Sequence, residues 1–152
     1  MKNRLTIPGL CALSVCILLS ACNLSDGVES QNDFPDTMTK VQQELANKGY
    51  KVTRIQALDQ GLGKAGYTID RYRIIFFGDP LDFDIVQQRY PQLSVFLPLS
   101  ITIYEDEDKI YLQSMPFAML KKVTRDREYL AMVSRWQSDV DKVILKAARP
   151  IP

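Results

Sequence analysis

"RYRIIFFGDP", residues 71–80, alternates polar and apolar side chains at first and then turns apolar on both faces. A central strand reads this way as it enters a core. Gly78-Asp79-Pro80 ends the run, because proline has no N–H to give to a sheet ladder. Asp79, Asp82 and Asp84 make the best carboxylate cluster of the chain. Two such groups at a suitable separation serve a hydrolase as acid and base, and a hard cation such as calcium also takes carboxylate oxygens. The order is not the Asp-x-Asp-x-Asp-Gly of a calcium loop. A structural reading covers every residue. Asp79-Pro80 makes a turn, and Asp82 or Asp84 caps a short helix over 82–90. Acids in a first helical turn favour the helix dipole by ~0.3–1 kcal/mol each.

Working outward, Met38, Val41 and Leu45 fall at helical spacing, with Asp36 or Thr37 as N-cap and Gly49 as the stop. "YKVTRIQAL" (50–58) predicts a strand whose alternation slips near Arg54, the mark of a bulge or twist. "DQGLGKAGY" (59–67) is rich in glycine. Its spacing matches neither a Walker loop nor a dinucleotide fingerprint, so it is expected to be a flexible strand-to-strand connection. "LSITIYEDEDKIYLQSM" (99–115) predicts a hairpin that turns at Glu105–Asp108. Acids at a solvated tip discourage edge pairing, and a metal site is the alternative.

From Pro116 the pattern is helical, with a short turn over 116–122 and a long helix from about Thr124 to Ala148. Tyr129, Val133, Trp136, Val140, Val143 and Ala147 step by three or four, a stripe expected to lie across the sheet. Tyr129 and Trp136 are expected in the core, with a ligand groove as the alternative. Lys121, Lys122, Arg125 and Arg127 form a basic group, read as a solvated helix start or as a contact for anionic lipid headgroups.

The N-terminus has the form of a secretory signal. Lys2 and Arg4 precede an apolar run from Leu5 to Leu19, shorter than the ~20 residues of a bilayer-spanning helix. Leu19-Ser20-Ala21-Cys22 resembles the lipoprotein box, in which the cysteine becomes the acylated first residue of the mature chain. The expected organisation is a signal peptide over 1–21, a lipidated N-terminus and tether over 22–36, and one domain over 37–150. Cys11 and Cys16 leave with the signal, so the mature domain keeps no thiol for a disulfide or nucleophile. Histidine is absent throughout, which excludes Ser-His and Cys-His catalysis and His-ligated zinc within one chain. Lys plus Arg falls from 19 to 17 against 18 acids on processing. That mixed surface has no electrostatic footprint for nucleic acid.

Taken in order, "IIFFGDP", a short helix and "LPLSITIYEDEDKIYL" resemble the bacterial family called domain of unknown function 302 (DUF302). The residues that carry the likeness are Phe77, Gly78, Asp79 and Pro80, then Leu97, Pro98 and Leu99, then Tyr104, Glu105 and Asp106. The likeness covers about 37 to 148. It implies an α+β fold like that of the TATA-box-binding-protein group. A sheet of about five mainly antiparallel strands would be packed by a long C-terminal helix and two shorter ones. It also implies homodimers, and it implies no activity, catalytic residue or cofactor. The chain departs from the family pattern at Asp79, usually asparagine, and at Phe83-Asp84, where relatives often have Gly-Thr. Gln60 stands where relatives often have histidine, in a connection that looks shortened.

These readings lead to a lipid-anchored envelope protein that binds a ligand or partner without catalysis. The groove between sheet and long helix is its expected binding surface. Asn23, rather than aspartate, after Cys22 favours the outer membrane, with the domain facing the periplasm. The alternatives are a hydrolase using Asp79, Asp82 and Asp84, and a structural envelope protein acting through a protein partner.

Overall fold

A computed structural model of the chain describes residues 27–68 and 70–151. The signal segment and Cys22 therefore lie outside the described residues. The elements run β1 (Val28–Glu29), α1 (Phe34–Asn47), β2 (Lys51–Ala57), α2 (Leu58–Lys64), β3 (Tyr72–Gly78), α3 (Pro80–Arg89), a 3-10 turn (Pro91–Phe96), β4 (Leu99–Asp106), β5 (Lys109–Ser114), α4 (Phe117–Leu120) and α5 (Arg127–Ala147). The five strands form one antiparallel sheet in the order β1-β5-β4-β3-β2. This is the expected α+β architecture with a long C-terminal helix.

Strand alternation assigns the two faces. Ile75, Phe77, Leu99, Ile101, Ile103 and Leu112 point to one side and are almost wholly buried. The α5 stripe of Tyr129, Val133, Trp136, Val140, Val143 and Ala147 is buried in the same core. So are Phe34, Val41 and Leu45 of α1. The opposite sheet face carries Tyr72, Ile74, Phe76, Ser100, Thr102 and Tyr104, all partly accessible. The slip expected near Arg54 is a register shift between Val52 and Arg54.

Three local expectations are corrected. Helix α1 begins earlier, because Asp33 is the N-cap and its side chain accepts from Asp36 N at 2.8 Å. Thr37 is instead buried, its hydroxyl 2.7 Å from that of Ser30. Residues 27–36 accordingly belong to the domain rather than to a tether. The glycine-rich connection contains α2, with Leu58 and Leu62 one turn apart on one face and Gly66, at φ +89°, ending the turn. Asp59 of α2 pairs with Arg73 of β3. The hairpin turn is tighter than expected. Asp106 still pairs with Lys109, leaving Glu107 and Asp108 as a two-residue loop.

Those two residues have φ of 48° and 62°. A two-residue hairpin turn of this hand favours Asn-Gly, since a left-handed conformation costs an ordinary side chain ~1–2 kcal/mol. The double change Glu107→Asn/Asp108→Gly is expected to stabilise the domain by about 1 kcal/mol. Urea unfolding at equilibrium measures it, and a loss of stability would contradict this account of the turn.

Candidate functional site

The corner after β3 is built residue by residue. Phe77 is fully buried. A Cβ at Gly78 would come within 2.9 Å of the Phe83 ring, so any larger residue here would push that ring aside. Asp79 Oδ1 accepts from Leu81 N at 2.8 Å, which makes Asp79 the N-cap of α3, and Pro80 opens the helix. The cap expected at Asp82 or Asp84 is thus one turn earlier. Asp84 is exposed. Asp82 turns inward, is 6% exposed, and accepts from Arg135 at 2.7 and 2.8 Å and from Trp136 Nε1 at 2.7 Å. The three aspartates are a cap, a solvated group and a buried acceptor, each in a different structural position. Among the described residues, no three His, Cys, Asp or Glu are grouped to hold a metal ion.

A second polar group lies close by. Asp139 of α5 accepts from Lys48 at 2.8 Å and from the Tyr50 hydroxyl at 3.3 Å. Burial pushes the Tyr50 hydroxyl well above its ordinary range, and the Asp139 carboxylate adds to the rise. Burial opposes the charge of Asp139, yet Lys48 and Tyr50 outweigh it and hold its carboxyl below the usual range. Asp126, the N-cap of α5, is also held low, by the N–H of Tyr129 and then by the Tyr90 hydroxyl. Each group has its partner, and the chemistry they perform is to fasten α5 to α1 and α3.

Open space lies elsewhere. Trp136, Val140 and Val143 fill the middle of the helix–sheet interface and are at most 1% exposed. No groove runs there. Among the described residues, the interface opens past β5, where a groove of about 1060 Å³ lies between the β4–β5 strands and the α4 and α5 helices. Met115, Phe117, Met119, Ile144 and Leu145 supply its apolar walls, and Gly27 and Val28 its rim. Its size is at the upper end of the ~300–1,000 Å³ of small-molecule sites. A second cleft of about 270 Å³ contains Arg71 and Glu105. Arg71 donates twice to Glu105, at 2.7 and 3.0 Å, and stands 5.0 Å from the centre of the Phe34 ring. Those two charges satisfy each other.

The sequence reading did not find the groove. Met119 fell within a short turn, and Leu145 lies off the core stripe. Apolar residues that match no buried periodicity were the available signal. The Arg135 and Lys48 partners of Asp82 and Asp139 left no local signal, being 53 and 91 residues away.

If Asp82 is structural, Asp82→Ala leaves the buried Trp136 N–H without an acceptor and is expected to cost about 2 kcal/mol. Asp82→Asn keeps an acceptor and should cost about half as much. Chemical denaturation measures both. Unchanged or greater stability would instead mark a functional carboxylate held at the expense of the fold. The pH dependence has a definite sign. Asp126 and Asp139 have depressed values in the folded chain, so the unfolded chain binds protons first as pH falls. Their contribution is complete above about pH 5 and is lost below about pH 4 as pH falls through the folded values. Thermal midpoints from pH 7 to 3 should follow this course, and Asp126→Asn/Asp139→Asn should flatten it.

Residues 27–147 match the family described as "Domain of unknown function DUF302". The fold is similar to the crystal structure of an uncharacterized conserved DUF302 protein from Bacillus stearothermophilus. The TM-score is 0.74 at 14% identity, over 80% of this chain and 96% of that one. No curated protein matches the sequence. With the family match spanning β1 to the end of α5, the chain belongs to the DUF302 family.

Proposed function

We propose that this DUF302 protein is a lipid-anchored component of the bacterial envelope that binds a ligand and performs no reaction on it. The observation that carries the reading is the apolar groove beside β5, whose rim includes Gly27. Gly27 is five positions after Cys22 in the sequence. Acylation of Cys22 would hold the domain at the membrane by its groove side. The structural bonds of Asp79 and Asp82, with Asp84 exposed, favour this reading over a hydrolase built on them. Among the described residues, no helix is long and apolar enough to cross a membrane. Asn23 supports the outer membrane, with the domain facing the periplasm.

Cys22→Ala is expected to abolish acylation and move the protein from the membrane to the soluble fraction of the envelope. Fractionation with intact mass measurement checks it. Membrane retention by the variant, with no acyl mass on the wild type, would overturn the proposal. Density-gradient separation of the two membranes tests the outer-membrane assignment.

A further inference from the structure

The groove has a selective chemistry. Among the described residues, Asp141 is the one charged residue in its lining, and the remaining side chains are apolar or neutral. An anionic ligand would meet a like charge there, whereas an uncharged hydrocarbon chain meets Phe117, Met119, Ile144 and Leu145. Three apolar side chains at the groove are left open to solvent: Val28 at 37%, Met119 at 60% and Leu145 at 54%. An occupant that covered them would remove apolar surface from water.

The path of the chain points to the source of that occupant. Val28 stands opposite Leu112 and Glu29 opposite Tyr111, in antiparallel register. Gly27, the described residue nearest Cys22 in sequence, lies one position further toward the Ser114 end of β5 and lines the groove. Only Asn23, Leu24, Ser25 and Asp26 separate Cys22 from Gly27. Fully extended, that distance is at most roughly 18 Å. A lipid acyl chain spans one leaflet, about half of the ~30 Å hydrocarbon core. Lys121, beside α4, donates to Gln137 of the groove wall at 2.7 Å, and Lys122 follows it. A basic flank of this kind suits an anionic headgroup region next to a seated chain.

We propose that the groove holds one acyl chain of the protein's own lipid, the one carried by Cys22. This rests on the anchor reading above and adds where part of the anchor goes. One chain leaves the bilayer for the groove, and the other acyl groups keep the protein attached. The domain is then fixed in orientation at the membrane, with the α4–α5 loop at the headgroups.

The test uses the full chain in its host. Cells are fed a fatty acid carrying a photoreactive diazirine, irradiated, and the protein is digested with trypsin and analysed by mass spectrometry. The expected product joins the acylated peptide Cys22–Lys40 to Ile110–Lys121 or Val143–Lys146. Met119→Glu/Leu145→Glu alters two exposed side chains. It should lose this cross-link and lower the thermal midpoint of the acylated protein, with a cooperative transition and the membrane retention of the wild type. Acylated Cys22 without a cross-link to either groove peptide would overturn the inference and leave the anchor reading standing. Groove peptides joined to phospholipid or to another protein would do the same. Cys22 without any acyl mass would overturn both.

Discussion

The indole of Trp136 is 1% exposed, and a buried N–H of this kind must find an acceptor inside the protein. Asp82 provides it at 2.7 Å, and the same carboxylate takes two bonds from Arg135. Two neighbouring residues of α5 are thereby tied to the first turn of α3. That tie fixes the rotation of α5 about its axis, and the rotation decides which side chains face the sheet. Tyr129, Val133, Val140 and Val143 then fall into the core by helical periodicity. The position of Asp82 in turn follows from the corner before it. Gly78 admits the Phe83 ring, Asp79 caps α3, and Pro80 starts it. The recognisable Phe-Gly-Asp-Pro run is thus the local device that presents one carboxylate to a helix more than fifty residues away.

Much of the fold was legible because its signals are local and periodic. The alternation of 99–115 gave β4 and β5, and the three-and-four spacing gave α5 with its buried stripe. The register shift at Arg54 left a visible slip in the pattern. The missed parts have physical causes. The helix α2 was hidden by Gly61 and Gly63, which weaken helix propensity but were outweighed by the Leu58/Leu62 face and the Asp59–Arg73 pair. The N-terminal segment looked like a tether because its polar residues make their bonds with the far end of the chain. Asn32 donates to the carbonyls of Ala147 and Arg149, at 3.0 and 2.7 Å. Of the candidate aspartates, the sequence identified the residues but not their directions. Those directions depend on α5, which no spacing within 79–84 encodes.

The sheet is covered by helices on one face, and its other face is suited to partial exposure. Tyr72, Tyr104 and Tyr111 stack across β3, β4 and β5, with ring centres 5.9 and 5.4 Å apart. Each ring shields its neighbour's apolar surface. Thr102 stands opposite both Ile74 and Gln113, which breaks the apolar character of this face between strands. Arg71 and Glu105 pair at the end of the sheet. A mixed, aromatic-braced face of this composition is compatible with water, and its Ser100, Thr102 and Gln113 also reach the lining of the groove.

The groove lies beside the two-residue strand β1. Its two residues pair only with Leu112 and Tyr111. Ser30 then donates to Ile110 O at 2.7 Å and Gln31 to Ala148 O at 2.8 Å, turning the chain away toward the end of α5. The strand is held at a fixed register by these bonds. Two walls of the groove, β5 and α5, are set by the core. The third, α4, is four residues long, with Phe117 buried and Met119 exposed. Methionine is unbranched and adapts its shape to what it touches. A fixed floor with an adaptable lip selects weakly by shape. In the proposed role, its discrimination would rest on the scarcity of charge among its described lining residues.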